Sequence, residues 1–323
     1  MSVSVCMATY NGAKYIREQL DSILRQSRRP DEVILCDDCS CDETPYIIQE
    51  FIKENSLQNK WKLYQNQENK GYPENFYYAM SLCACDIVFL ADQDDIWHCE
   101  KIARMCKVLD ENAQVVVVSC KLSLINAEGE EIHSIMAPTH KSLKKKRGSL
   151  RQVRIDDIFY KYEWPGMAMA YRRKWYQNQR GDSSTIPHDI LISSKAAEEG
   201  GLYQMDEVLA CHRRHGSNVG GEEHRLGRLL RRDRKLREIE DYLQMLREFD
   251  QNKVLQTETG KEALEKKLSS LRGRYDALQS GRLGQVLGNA GRHWRETRLK
   301  TLVCDLIIVL RSIERGKKDE TQR

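Results

Sequence analysis

Two carboxylates separated by one residue, Asp92 and Asp94, stand at the end of the apolar run Ile87-Val88-Phe89-Leu90-Ala91. A buried strand that delivers an Asp-x-Asp pair to its carboxyl end builds a site for a divalent cation and a diphosphate. Mg2+ or Mn2+ takes hard oxygen ligands and keeps positions open for a substrate's phosphates, so one or two carboxylates suffice. The pattern has a plain alternative: acidic turns after strands serve as helix caps, and Asp95, before Ile96-Trp97, is placed to do so.

The elements around the pair bear on that choice. Val3-Ser4-Val5-Cys6-Met7-Ala8 reads as a strand that runs into Thr9-Tyr10-Asn11-Gly12, where Asn-Gly marks a turn. Ile16, Leu20, Ile23 and Leu24 then recur at helical spacing. A second strand, Glu32-Val33-Ile34-Leu35-Cys36, ends in the acidic cluster Asp37-Asp38-Cys39-Ser40-Cys41-Asp42-Glu43-Thr44. Ligands of open α/β sheets bind outside the carboxyl ends of the strands, so three polar tips on successive strands predict one shared pocket. Asp42 is expected to cap the following helix, and Asp38 to accept a hydrogen bond from a base or a ribose.

Those segments carry a resemblance. The order Ala8-Thr9-Tyr10-Asn11-Gly12, Asp37-Asp38 through Thr44, Asn69-Lys70-Gly71, and Leu90-Ala91-Asp92-Gln93-Asp94-Asp95-Ile96-Trp97 resembles glycosyltransferase family 2, most of all its rhamnosyltransferase-like branch. His188-Asp189-Ile190-Leu191, Asp206-Glu207-Val208-Leu209 and Arg213-Arg214-His215-Gly216-Ser217-Asn218 fit the same pattern, and ordered motifs are far more specific together than singly. The resemblance implies a GT-A fold and transfer of a sugar from a nucleotide-sugar donor with inversion. It assigns Thr9, Tyr10 and Asp38 to the nucleoside, with Asn11 and Gly71 on the same side, and sets Asp92 and Asp94 against the ribose and the metal, Asp94 as direct ligand. Asp189 takes the place of the general base, which suits an acceptor hydroxyl that must lose its proton as it attacks. An N-cap on a helix from Ile190 to Glu199 is the other use for that side chain.

Arg213 and His215 follow a strand expected over residues 208–212. Either could face a departing diphosphate, and a neutral His215 could instead ligate the metal. His212 is a weaker candidate. Trp164-Pro165-Gly166 falls where the resemblance implies an acceptor-facing wall, with Trp164 stacked on a sugar ring or simply buried.

Charge divides the chain. Residues 1–221 hold 28 Lys and Arg against 31 Asp and Glu, a net of −3, whereas residues 222–323 hold 24 against 17, a net of +7. The expected boundary is therefore near Gly220-Gly221. It separates a catalytic domain over 1–221, with its donor half over 1–121 and acceptor half over 122–221, from a basic helical region over 222–323. In that region Leu226, Leu229, Leu230, Leu236, Ile239, Leu243 and Leu246 form one stripe, and Leu264, Leu268, Leu271, Tyr275 and Leu278 another. Such stripes pack a helical subdomain, or they lay a basic amphipathic helix on an anionic membrane face. The basic run His140 to Gly148 is read as solvated, with anionic lipid or a pyrophosphate-linked acceptor as its alternative partner. The chain enters a strand within a few residues of Met1, so no signal peptide is expected. Leu306-Ile307-Ile308-Val309-Leu310 is too short to span a bilayer, which needs about 20 apolar residues. Eleven scattered cysteines, odd in number, read as free thiols in a reducing compartment.

The sequence thus predicts an α/β, GT-A chain with a helical C-terminal extension. Its expected activity is inverting, dependent on Mg2+ or Mn2+, and directed from a UDP- or dTDP-linked sugar, rhamnose among the candidates, to a saccharide or polyprenyl-linked acceptor in cell-surface polysaccharide synthesis. The expected location is the cytoplasm, at the inner face of the cell membrane if the tail binds lipid. A nucleotidyltransferase would show a Gly-rich phosphate loop near the first strand, and only Gly12 is there; a Rossmann dehydrogenase would show Gly-x-Gly-x-x-Gly. A non-catalytic carbohydrate- or nucleotide-binding scaffold would not need Asp189. The modest net charge of +4 and the lack of a recognised motif argue against nucleic acid.

Overall fold

The computed structural model describes residues 1–132, 149–161, 164–179, 185–215, 231–294 and 297–321. The basic run at 140–148 and the expected boundary near Gly220-Gly221 lie outside them, as do Leu226, Leu229 and Leu230. Contacts divide the chain into two units, one made of Met1–Arg154 and Glu163–His215, the other of Ile155–Tyr162 and Gly216–Arg323. The first unit thus ends at His215, and the stretch over 122–221 is interrupted by a short segment, Ile155–Tyr162, that groups with the second unit.

In the first unit the strands β1 (Val3–Thr9), β2 (Glu32–Asp37), β3 (Trp61–Gln65) and β4 (Ile87–Ala91) run parallel. The inner residues of β1, β2 and β4 are buried, as parallel strands covered on both faces require, and this explains why these three read as continuous apolar runs, whereas the edge strand β3 buries only Trp61. Helices α1 (Ile16–Leu24), α2 (Thr44–Glu54) and α3 (Glu74–Ser81) provide the crossovers between these four strands, and α4 (Lys101–Glu111) follows the short β5 (Ile96–Trp97). The sheet is completed by β6 (Val117–Ile125), β7 (Leu150–Gln152), β8 (Met169–Arg172) and β9 (Leu202–Arg213) in the order β3-β2-β1-β4-β8-β6-β9-β5, with β7 also on β9. The chain moves from β1 to β2 in one direction and returns to β4 on the other side of β1, so the crevice between the carboxyl ends of β1 and β4 is the switch point where α/β sheets bind ligands.

β5 decides two local questions. It pairs antiparallel with β9, Ile96 opposite Cys211 and Trp97 opposite Ala210, which brings the acidic turn after β4 against the end of β9. Asp95 therefore precedes a strand, not a helix, and the capping role open to it is not realised: α4 begins at Lys101 with Glu100 at its N-cap. β9 is also much longer than residues 208–212, and Arg213 is its last residue rather than the first beyond it.

The second unit packs α5 (Ile155–Lys161) with α8 (Arg232–Gln251), α9 (Glu258–Ser280), α10 (Leu283–Arg292) and α11 (Leu299–Thr321). The two helices between, α6 (Arg173–Gln177) and α7 (His188–Glu198), belong to the first unit. Ile239, Leu243 and Leu246 on α8 and Leu264, Leu268, Leu271 and Leu278 on α9 are buried, and Phe249 meets Phe159 of α5 edge to face at 6.4 Å. These stripes form the interior of a helical bundle, so they are not available to lie on a membrane. Replacing fully buried Leu246 with Ala is expected to cost ~2–5 kcal/mol in the unfolding transition of this unit, followed by urea titration. A loss below ~0.5 kcal/mol, as for a surface substitution, would contradict the packing.

Candidate active site

The turn after β1 is built as a cradle. Asn11 adopts a φ of 47°, its Oδ1 accepts the Cys41 N–H at 2.8 Å, and its own N–H donates to Ser40 Oγ at 2.9 Å. Gln93, the middle residue of the acidic pair, binds both polar groups of the Tyr10 backbone, accepting at 2.9 Å and donating at 3.0 Å. A Cβ at Gly12 would stand 2.3 Å from Gln93 Oε1, so this glycine gives the clamp its room. Thr9 is buried and donates through Oγ1 to Asp37 at 2.9 Å, while the ring of Tyr10 is exposed beside it. Glu43, not Asp42, is the N-cap of α2; Asp42, one residue earlier, accepts the Thr44 N–H at 3.0 Å and so satisfies one amide of the helix start.

Asp38 ties a second loop to the cradle. Its Oδ1 accepts from Asn66 Nδ2 and the Lys70 N–H, both at 2.8 Å, and its Oδ2 from the Gly71 N–H at 2.7 Å. Three donors thus hold this buried carboxylate. Gly71, at φ +74°, is the residue type that turn requires.

Around Asp92 and Asp94 the carboxylates converge. Burial raises the pKa of Asp92 well above the usual carboxylate range, and Asp95, Asp94 and Asp189 push it further, with Lys101 opposing. Asp94 is raised by burial and by Asp95, while His215, whose Nε2 lies 2.8 Å from Asp94 Oδ2, works the other way. Asp95, fully buried, accepts the Arg213 N–H at 2.9 Å and faces His212 Nδ1 at 3.2 Å. Gln19 of α1 fixes the Asp92 carbonyl at 3.0 Å. Lys101 is buried with its ammonium on the Met167 carbonyl and 3.7 Å from the centre of the Trp97 ring. Burial pushes its pKa down to about 8, against the pull of Cys120, Asp95 and Asp92. Gln19, Gln93, Asp95 and Lys101 were not singled out as site residues from sequence; the helical spacing of Gln19 and Lys101 is that of ordinary buried faces.

Two expectations meet a different geometry. Arg213 does not reach toward open space for a diphosphate: its buried guanidinium donates to the Asp94 carbonyl at 2.8 Å, the Ala127 carbonyl at 3.1 Å and Glu18 at 2.6 Å, over the Tyr15 ring. It braces the acidic turn from below. Trp164 is wholly buried and so exposes no ring for a sugar.

Asp189 sits in the first turn of α7, with Pro187 at the N-cap, and its Oδ1 accepts the Ile190 N–H at 2.8 Å. It is therefore not the cap itself, although it does satisfy one free amide of the helix start. The preceding His188 is buried, stacked on Phe76 at 3.8 Å, with Tyr72 and Tyr77 edge-on. A Cβ at Gly166 would lie 2.6 Å from His188 Nε2, so Gly166 serves the placement of α7 rather than a surface.

The donor set has the chemistry of a shared cation site. Among the described residues no group of three or more His, Cys, Asp or Glu side chains could hold a metal ion by itself. Asp94 and His215 adjoin each other, and a cation held through one or two carboxylates plus substrate phosphates needs no more from the protein. Burial does most to lift the pKa of Asp92, and the added repulsion from Asp95, Asp94 and Asp189 is what a divalent cation would offset.

Burial pushes the His188 pKa down to about 4, Asp189 opposing, against an ordinary value near 6.5. The unfolded chain takes up a proton in that interval and the native one does not, so stability falls as pH drops from ~6.5 toward ~4. His188→Gln is expected to flatten this part of the profile, read from thermal midpoints across pH. An equally steep fall in the variant would contradict the assignment.

Comparison with known proteins agrees with this geometry. The model of Glycosyl transferase family 2 matches residues 4–178. The dTDP-rhamnosyl transferase RfbG of Shigella flexneri is 38% identical over 228 residues, covering 67% of this chain and 73% of that protein. An uncharacterized protein of Mycobacterium tuberculosis is 25% identical over 221 residues, and the match spans only 60% of its length. Among solved structures, residues 1–349 of TarS from Staphylococcus aureus in complex with UDP align with a TM-score of 0.60 at 18% identity, over 99% of this chain and 92% of that one. The mannosyltransferase PcManGT from Pyrobaculum calidifontis, in complex with GDP-Man and Mn2+, aligns at 0.51 and 16% identity over 96% and 86%. At such identities the two structures show a common GT-A fold. With more than half of its residues matched by the family model, and with the acidic turn, cradle and switch-point crevice in place, the chain belongs to glycosyl transferase family 2.

Proposed function

We propose that this protein is an inverting glycosyltransferase that moves a sugar from a nucleoside diphosphate donor to a saccharide or polyprenyl-linked acceptor in cell-surface polysaccharide synthesis. The reading is supported by Asp189, on the separate helix α7, acting electrostatically on Asp92 of the acidic turn at the switch point. The nucleoside lies along the Thr9-Tyr10-Asn11 cradle with Asp38 facing the base. Asp92 faces the ribose. Asp94 with His215 would hold Mg2+ or Mn2+, which when bound supplies charge neutralisation for the diphosphate. Asp189 removes the proton of the acceptor hydroxyl as its oxygen attacks the anomeric carbon from the face opposite the diphosphate; the bond to the diphosphate oxygen breaks, the electron pair leaves with it, and the configuration inverts. Arg213 and Lys101 keep the acidic turn in place without touching the substrate. Likeness to a dTDP-rhamnosyl transferase at 38% identity favours a dTDP-linked rhamnose donor over the UDP alternative. A polyprenyl-linked acceptor places the reaction at the inner face of the cell membrane.

The test is release of nucleoside diphosphate by the purified chain offered dTDP-, UDP- and GDP-sugars with Mn2+ and a lipid or saccharide acceptor. Asp189→Asn keeps the shape and the acceptance of the Ile190 amide but not the basicity, so turnover is expected to fall by ~10²-fold or more with the affinity for dTDP unchanged. Wild-type turnover in that variant would remove Asp189 from the reaction, and no release from any donor would contradict the activity.

A further inference from the structure

Helix α11 buries one face and leaves an apolar one in water. Asp305, Ile308 and Val309 are buried, and Arg274 of α9 grips the Asp305 carboxylate with two bonds of 2.6 and 2.8 Å. Leu299, Val303, Leu306, Leu310 and Ile313 recur at alternating intervals of four and three residues, which at about 3.6 residues per turn sets them on a single stripe. That stripe does not face the bundle: Leu299 is 77% exposed, Val303 46% and Leu310 47%. The turn that ends α10 exposes Trp294 to 68%, an aromatic of the kind enriched where one end of a side chain is apolar and the other wet. A row of large apolar side chains in water marks a surface meant to be covered.

Charge says by what. Between Leu283 and Ile313 the sequence holds five basic residues, Arg292, Arg295, Arg298, Lys300 and Arg311, against Glu296 and Asp305, and Asp305 is neutralised by Arg274. Arg292, Arg298, Lys300 and Arg311 are exposed, Lys300 next to Leu299 and Arg311 next to Leu310. A second copy of the chain would set these like charges against each other, whereas an anionic surface would meet them with opposite charge. We propose that this face of α11 docks on an anionic lipid surface, the stripe sinking to the headgroup boundary and the basic side chains lying among the phosphates. The helix lies along the surface, since no helix of the described residues is long and apolar enough to cross a membrane. This docking surface is distinct from the leucines of α8 and α9, which are interior, and it stands whatever the donor sugar is.

The test is flotation of the full chain with vesicles of phosphatidylglycerol or of phosphatidylcholine, at low salt and at ~1 M salt, where the Debye length shrinks to ~3 Å. The wild type is expected to float with phosphatidylglycerol only, and less so at high salt. Val303→Glu with Leu310→Glu, and separately Lys300→Glu with Arg311→Glu, are each expected to lower the bound fraction by ~10-fold or more while circular dichroism and nucleoside diphosphate release without vesicles stay at wild-type levels. No flotation, or flotation that neither pair of changes reduces, overturns the proposal. So does a dimer in light scattering that the Val303→Glu, Leu310→Glu variant dissolves, which would make a second copy the occupant, or loss of its donor turnover, which would make the stripe a structural face.

Discussion

Like charges gathered at the tip of a buried strand repel, and the first unit of this protein is organised around holding four of them together. Burial lifts the pKa of Asp92 well above the ordinary range, and the charges of Asp95, Asp94 and Asp189 add to it. Removing an ionised carboxylate from water is costly unless donors replace the water, and three of these acids have one. Asp95 accepts the Arg213 amide, Asp94 has His215, Asp189 accepts the Ile190 amide, and Lys101, its pKa lowered by burial, opposes the shift of Asp92. Arg213 joins the arrangement to α1 through Glu18 and to the acidic turn through the Asp94 carbonyl. The residual repulsion is the physical reason for a cation and a diphosphate to be proposed there together: the one supplies positive charge, the other the remaining oxygen ligands.

Much of this arrangement is legible in the sequence because it depends on local order. An apolar run followed by acidic residues states where a parallel strand stops and what stands at its tip, and three such tips on adjacent strands converge by topology alone. What escapes a sequence reading depends on pairing between distant segments. Asp95 looks like a cap until Ile96 and Trp97 pair with Cys211 and Ala210, which turns the next two residues into strand and the carboxylate inward. Arg213 looks like a phosphate ligand until the length of β9 and the position of Glu18 engage its guanidinium from below. The placement of Trp164 and the dependence of α7 on Gly166 rest likewise on packing that leaves no periodic trace.

The helical unit shows the same limit from the opposite side. Apolar stripes in Ile239 to Leu246 and Leu264 to Leu278 are readable, but whether a stripe faces its neighbours or a membrane depends on which helices lie against it. The structure buries those two and exposes a third, in α11, inside a segment whose apolar run was notable in the sequence only for being too short to span a bilayer. Burial, not periodicity, separates a core face from a docking face.

The central claim is that the acidic turn after β4 is where a nucleoside diphosphate binds through a divalent cation. Calorimetric titration of dTDP into the purified chain, with Mn2+ and then with a chelator, tests it most directly when repeated on Asp94→Asn. The account predicts Mn2+-dependent binding by the wild type and an affinity lower by ~10-fold or more in the variant, in line with the loss of a charged ligand. Equal affinity with and without the chelator, or an Asp94→Asn variant that binds dTDP as the wild type does, would contradict it.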